Sequence, residues 1–470
     1  MTTRSQSLSV KEKLGYGLGD TASHFVWDMV GFWILIFYTD TFGISAAAAG
    51  TIMLAARIWD MANDPLMGII ADRTTTRWGK FRPYLLWVSL PYAVLAVMAF
   101  STPDLGPTGK VAYAAITYML LMTAYTAINL PYSSLGAVMT ADGYERTSLN
   151  TYRFICAFAG QLVVSGLALT MAKRLGGGDD ARGYQLTLIV FGLISFVLFL
   201  ITFASTKERI QPPPGQRSSL RQDFKILFTN TPWIILSLVG LVSFVMFALQ
   251  NASVAYYFKY FVGNEESVQL FNVIGSIALI VGLPLSKPLA KRFGKRNVFI
   301  GSSLLSGLCF ILLIVPGADQ IGMIYALNIL AKISYAPAVP LLWTMLADTA
   351  DYSEWTTGRR ATGLFFSAST FAQKGGWGIG GALAGWLLAS FGYVEQGAVQ
   401  SSETIAGIRL MVSVFPGLLY MSCAAFLAFY RLDADTCRRM EQELEDRRAA
   451  QPAEAEKTAV ATPGQEGDIS

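Results

Sequence analysis

Gly68-Ile-Ile-Ala-Asp72-Arg73, running into Arg77-Trp78-Gly79-Lys80, has a counterpart far downstream: Lys287-Pro-Leu-Ala-Lys291-Arg292, running into Phe293-Gly294-Lys295-Arg296. Both stretches end a long apolar run, and both turn on a glycine set among basic residues. The same device in both halves of one chain marks a duplicated unit, and the flanking runs say what the unit is made of. Hydrophobic residues make up 53% of the chain and charged residues only 14%, with a mean hydropathy of +0.44, whereas soluble domains carry roughly 25% charge. One apolar stretch after another reaches the length of about 20 residues that crosses a bilayer. The fold class this predicts is an all-α membrane protein of twelve transmembrane helices in two six-helix repeats.

The expected spans are 22–43, 45–71, 84–102, 111–138, 149–172 and 184–205, then 232–260, 268–290, 297–315, 321–348, 360–391 and 405–430. Between the sets lie Pro212-Pro213-Pro214 and the basic residues Lys207, Arg209, Arg217, Arg221 and Lys225, where no membrane helix continues. The chain thus divides into a bundle at 1–204, a linker at 205–231, a bundle at 232–430 and a tail at 431–470 expected to be disordered. Lys and Arg gather in the loops after spans 2 and 8, in the linker and at both termini, which puts both termini in the cytoplasm. Met1 to Lys13 is polar and mildly basic, so no cleavable signal peptide is expected. Cys156, Cys309, Cys423 and Cys437 show no CxxC or metal-type spacing. The net charge of +4 follows the loops, and nucleic acid is not an expected partner.

Ionisable side chains at bilayer depth cost roughly 3 kcal/mol on insertion scales, so they line cavities or hold partners. Span 2 carries Arg57-Ile-Trp-Asp60-Met-Ala-Asn63-Asp64-Pro65, in which Arg57, Asp60 and Asp64 share one helix face with Asn63 at its edge. Two carboxylates and an amide oxygen are hard ligands, suited to Na⁺ or to holding a proton. The plainer alternative is that Arg57 neutralises one Asp in a structural pair. Span 1 sets His24, the only histidine, one turn from Asp28. Span 11 carries Lys374 with no acid on its own face, so it is expected to reach across to the span 2 carboxylates. Trp377 lies one turn on, where it can stack on a sugar ring or simply pack, and the neighbouring glycines allow close helix contact. Lys332 in span 10, Thr126 and Asn129 in span 4 and Arg153 in span 5 complete the polar interior. Internal repeats of this kind place a substrate site at the midplane between the halves, with alternating access by rocking.

These segments, with Lys13-Leu-Gly-Tyr16-Gly-Leu-Gly19, Phe37-Tyr38-Thr39-Asp40, Asp72-Arg73…Arg77-Trp78-Gly79-Lys80-Phe81-Arg82-Pro83, Asn129-Leu-Pro131-Tyr132, Asp351-Tyr-Ser-Glu354-Trp355…Gly358-Arg359 and Lys374-Gly375, resemble the glycoside–pentoside–hexuronide:cation symporters. That family is a branch of the major facilitator superfamily and includes melibiose permease. The resemblance extends to about residue 430 and implies the major facilitator fold. It also implies a cation site at Asp60, Asn63, Asp64, Thr126 and Thr370, with Arg153 and Lys374 bordering a sugar cavity. His24, Asp28, Asn129, Lys332 and Trp377 join them as substrate-site candidates, and Arg73, Arg77, Lys80, Arg82 and Glu354 as gating candidates. The melibiose carrier has Asp at the positions of His24 and Asn129, both holding galactoside hydroxyls, and Trp where Ser133 stands. The loss of two acids puts a galactoside in doubt and favours a hexuronide or a pentoside such as a xyloside.

The expected function is therefore cation-coupled symport of a sugar or glycoside across the bacterial inner (plasma) membrane. The expected partners are that small molecule, Na⁺ or H⁺ and the lipid bilayer, with no enzymatic activity and no cofactor. Asp60 and Asp64 would be the metal ligands if the ion is Na⁺. The alternatives are an uncoupled facilitator, or a carrier of an amphiphilic, lipid-like solute. An intramembrane aspartyl protease is a remote one, since Gly17-Leu18-Gly19-Asp20 fits a GxGD pattern; Asp20 is expected at the membrane entrance, and no Tyr-Asp partner motif exists.

Overall fold

The computed structural model describes residues 8–140, 143–209, 227–358, 362–433, 435–440, 442–444 and 446. Pro212, Pro213, Pro214, Arg217, Arg221 and Lys225 of the linker, Arg359 and the tail from Arg447 lie outside the described residues. Among the described residues, twelve long helical runs make up the bundle. These are α1 (Val10–Phe42), α2 (Ala46–Arg73), α3 (Arg82–Trp87 and Ser89–Ala99), α4 (Pro107–Met139), α5 (Gly143–Gly176) and α6 (Asp180–Ser205). The second set is α7 (Thr231–Val262), α8 (Ser267–Phe293), α9 (Lys295–Leu312), α10 (Ile321–Thr357), α11 (Thr362–Ser390) and α12 (Ser402–Ala428).

Eight of these runs are long and apolar enough to span a bilayer by length and composition. The other four have visible reasons to fall short. In α2, Arg57, Asp60 and Asp64 interrupt the apolar run; α3 breaks at Val88, where Pro91 leaves the Trp87 carbonyl without its helical donor; α9 opens on Lys295 and Arg296; α11 is diluted by glycine. Large apolar side chains face outward around the bundle, among them Ile155 at 63%, Leu193 at 61% and Val281 at 60% exposure, as a lipid-facing surface requires.

The internal repeat is written into the backbone. Gly79 and Gly294, the glycines of the two basic turns, both have positive φ, at 107° and 81°. The first helix of each half also ends alike, in a widened π turn at Phe37–Phe42 and Tyr257–Val262. Each π turn is stopped by a left-handed glycine, Gly43 at φ 76° and Gly263 at φ 72°.

Two boundaries differ from expectation. Helix α1 begins at Val10, not near residue 22, because Ser9 and Glu12 form a reciprocal capping box. Gly15 and Gly17 then let this polar first half pack tightly, since a Cβ on Gly17 would meet Cys156 Sγ at 2.8 Å. Asp20 is therefore buried inside the bundle, only 7% exposed. The start of the tail, expected to be disordered, is helical at 435–440 and 442–444. Met440 and Leu444, one turn apart, are buried, and Trp355 Nε1 donates to Glu443 Oε2 at 2.7 Å.

Candidate functional site

Helix α11 lies between α2 and α7, and its glycines present two faces. A Cβ on Gly376 or Gly380 would strike the α7 carbonyls of Leu241 (2.5 Å) or Val245 (2.3 Å), while one on Gly378 would strike Arg57 Cβ of α2 at 2.6 Å. This close approach carries Lys374 to the carboxylates of α2. Its Nζ donates to Asp64 Oδ2 at 2.5 Å and lies 3.3 Å from Asp60 Oδ2. Asp60 is fully buried, and Thr126 Oγ1 of α4 donates to its Oδ1 at 2.5 Å. Arg57 lies 3.7 Å from Asp60 Oδ2, with its guanidinium 4.3 Å above the Trp27 ring. The two acids and two cations cancel, which is what burial of carboxylates in an apolar bundle demands. Asn63 adds a buried Nδ2 without a hydrogen-bond partner, and Thr370 lies exposed one turn before Lys374.

Beside this cluster stands an aromatic wall. Trp27 stacks on Tyr125 at 4.2 Å, Trp377 meets Trp27 edge-on at 6.1 Å, and Phe247 meets Trp377 at 5.4 Å. Flat faces of this kind suit the C–H face of a sugar ring. The remaining candidates are mostly committed to one another. His24 Nδ1 lies 2.9 Å from Asp28 Oδ2, and Asn129 Nδ2 donates to Tyr125 Oη at 2.8 Å, leaving Asn129 Oδ1 buried without a partner. Arg153 Nε donates to Asp20 Oδ2 at 2.8 Å, with its guanidinium 5.2 Å from the Tyr132 ring. Lys332 stands apart from the α2 stripe: it donates to Gln250 Oε1 of α7 at 3.0 Å.

The family model described as MFS/sugar transport protein matches residues 15–434. The chain belongs to that family. Among its relatives is YagG of Escherichia coli strain K12, named as a candidate glycoside/cation symporter, 39% identical across 94% of this chain and 96% of that protein. Another is the isoprimeverose transporter of Lactiplantibacillus pentosus, 34% identical across 90% of this chain and 88% of that one. The crystal structure of nucleoside transporter NupG covers 90% of this chain and 99% of its own with a TM-score of 0.64, and at 16% identity it shows the fold alone. The fold is the major facilitator fold, and the protein is a membrane-embedded sugar transporter.

In this sugar transporter, contacts at one end of the bundle join the halves. Asp40 of α1 accepts from Lys259 Nζ at 2.5 Å and Tyr260 Oη at 2.6 Å, both on the π turn of α7, and from Tyr393 Oη. Thr39 and Tyr256 hydroxyls are 2.8 Å apart, and Trp386 Nε1 donates to Thr51 at 3.1 Å. At the Arg73 end, these pairs brace each half separately. Lys13 binds Glu145 at 2.9 Å, Arg209 binds Glu12, and Lys295 binds Asp348 at 2.7 Å. Arg82 turns back into its own half, donating to the carbonyls of Trp78 (3.2 Å) and Phe203 (2.6 Å). Arg77 lies 4.5 Å over the Trp78 ring, Lys80 lies 5.3 Å over the Phe81 ring, Arg73 ends α2, and Glu354 lies in the last turn of α10.

Sequence reasoning missed three parts of this arrangement. Glu208 accepts the backbone N–H groups of Lys80, Phe81 and Arg82 at 2.8, 2.7 and 2.9 Å and so fixes the α2–α3 turn. Asp20 pairs with Arg153, and Asp40 is gripped by a helix end and a loop from the other half. Glu208→Ala removes three charge-assisted bonds worth about 1.5–3 kcal/mol each. On the expectation that this turn guides rocking and touches no ligand, transport should slow about tenfold with substrate affinity within about twofold of wild type. Parallel measurement of uptake rate and binding constant checks this, and a proportional fall in both contradicts it.

Proposed function

We propose that this sugar transporter is a cation-coupled symporter of a glycoside, a hexuronide or a pentoside such as a xyloside in preference to a galactoside. It works by alternating access in the bacterial inner membrane with both termini in the cytoplasm. The observation that carries the proposal is Lys374 of α11 bonded across the halves to Asp64 and standing 3.3 Å from Asp60. A coupling ion, Na⁺ or H⁺, competes with this ammonium for the two carboxylates. Na⁺ takes oxygen ligands from Asp60, Asp64, Asn63 and Thr126, whereas a proton on Asp64 dissolves the pair directly. Either event releases Lys374 and loosens a bond between the halves, so ion and sugar together set the conformational equilibrium. Thr370, one turn from Lys374, belongs to the same ion site; Trp377, Asn129, His24, Asp28 and Arg153 form the sugar-facing surface.

The test is uptake of a panel of uronides and pentosides into proteoliposomes under an imposed Na⁺ or pH gradient. Concentrative uptake driven by one of the two gradients is expected. Uptake that merely equilibrates under both removes the coupling proposal. It would favour the second reading, an uncoupled facilitator, for which the charge balance among Arg57, Asp60, Asp64 and Lys374 speaks, since Lys374 then stands permanently in the place of an ion.

A further inference from the structure

A cavity of about 110 Å³ lies between the halves, walled by α1 and α5 on one side and by α7, α8 and α10 on the other. Lys332 reaches into it with its ammonium held by Gln250 Oε1 at 3.0 Å, and the rings of Phe247 and Phe310 lie 5.5 and 5.7 Å away. Among the described residues no carboxylate pairs with Lys332, whereas Arg153, Lys374 and His24 each face an acid. Gln250 is 1% exposed, and its Nε2 has no hydrogen-bond partner. Asn328, fully buried, donates to Phe271 O at 2.9 Å and leaves Oδ1 unpartnered. An ammonium resting on one amide oxygen and two aromatic faces with no counter-charge, beside an unused amide donor, is costly in a water-poor interior.

We propose that this cavity is a subsite for an oxyanion on the transported glycoside, a carboxylate accepting from Lys332 Nζ and Gln250 Nε2 while Asn328 Oδ1 takes a ring hydroxyl. The proposal rests on the glycoside reading above and adds to it a second recognition point, separate from the Asp60–Asp64–Lys374 cluster. Phe247 joins the two regions, because it also packs on Trp377 at 5.4 Å. A ring lying against the aromatic wall therefore extends one substituent to Lys332. Because the cavity walls come from both halves, a ligand that fills it draws them together.

The β-glucuronide, β-glucoside and β-xyloside of p-nitrophenol share ring stereochemistry and differ at C5, which carries a carboxylate, a hydroxymethyl or hydrogen. Their dissociation constants are measured by calorimetry on the purified full-length protein, in Na⁺ and at fixed pH. The glucuronide is expected to bind at least about tenfold tighter than the glucoside, a difference of about 1.4 kcal/mol. Lys332→Met removes that preference and leaves the glucoside and xyloside within about twofold of wild type, as loss of one charge-specific contact predicts. Gln250→Glu keeps the lysine but supplies an acid beside it, and removes the preference as well. If wild type binds the neutral glycosides as well as or better than the glucuronide, the subsite is overturned and the glycoside reading stands. If none of the three binds, that reading falls and the proposal with it. Equal loss of all three ligands in Lys332→Met, or a preference surviving in either variant, also overturns the subsite.

Discussion

On the proposed coupling, Asp60→Asn is expected to abolish accumulation against a gradient while the protein still inserts and still binds sugar. Asn keeps the volume of the side chain and an oxygen for the Thr126 hydroxyl, which donates to Asp60 Oδ1 at 2.5 Å. What disappears is the charge. The cluster then holds Arg57, Lys374 and Asp64 alone, a net positive site that repels the coupling ion. Removing one partner of a buried pair costs about 3–5 kcal/mol, and each 1.4 kcal/mol is a factor of ten in ion affinity. Proteoliposomes carrying Asp60→Asn should therefore fill only to equilibrium, while exchange of internal for external sugar continues. Asp64→Asn shifts coupling in the same direction by less, because its side chain is 28% exposed and water screens part of the change. Wild-type accumulation in Asp60→Asn would sink the assignment of the ion to this cluster.

How far the sequence could reveal this cluster depended on where each charge stood. Arg57, Asp60 and Asp64 were legible because charges in the middle of an apolar run are rare, and helical spacing put them on one face. Lys374 was legible for the converse reason: with no acid on its own helix, it needed one from another. The twelve-run fold and its duplication were legible from the two glycine turns, since Gly79 and Gly294 need the left-handed backbone that each half repeats. Asp20 was hidden because the first turns of α1 are polar enough to pass for an exposed segment, while its partner Arg153 lies 133 residues away. Asp40 was hidden because its partners come from α7 and from the loop after α11, and their register depends on two π turns that hydropathy does not encode. Lys332 stands in the sequence as a substrate-site candidate beside the cationic candidates Lys374, Arg153 and His24. Only the pairing of the other three with acids sets it apart.

Gly385→Val is expected to stop transport almost completely, through helix packing alone. A Cβ at Gly385 would stand 2.4 Å from Ala46 O and 2.8 Å from both Gly50 Cα and Gly50 N, all backbone atoms of α2 that no side-chain rotation can move aside. Gly50 is matched to it, for a Cβ there would stand 2.8 Å from Ala382 O. This crossing lies at the end where Asp40 joins Lys259 and Trp386 joins Thr51, so α2 and α11 must touch there for the halves to close. Overpacking of this kind costs about 1–3 kcal/mol or forces the helices apart, and the helices can part by opening the bundle on that side. The variant should therefore bind sugar, hold the open state and transport at a few per cent of the wild-type rate. A cysteine placed at Met53, which is buried and whose Cε lies 2.7 Å from a Cβ built on Gly381, reports the opening. In a background without the native cysteines it should react with a water-soluble maleimide in Gly385→Val and stay protected otherwise. Gly301→Val serves as control, since a Cβ on Gly301 meets nothing within 4 Å and should leave rate and labelling unchanged. If Gly385→Val transports at half the wild-type rate or more with Met53→Cys still protected, closure at this end does not depend on the glycine crossing, and the Asp40 contacts alone must carry it.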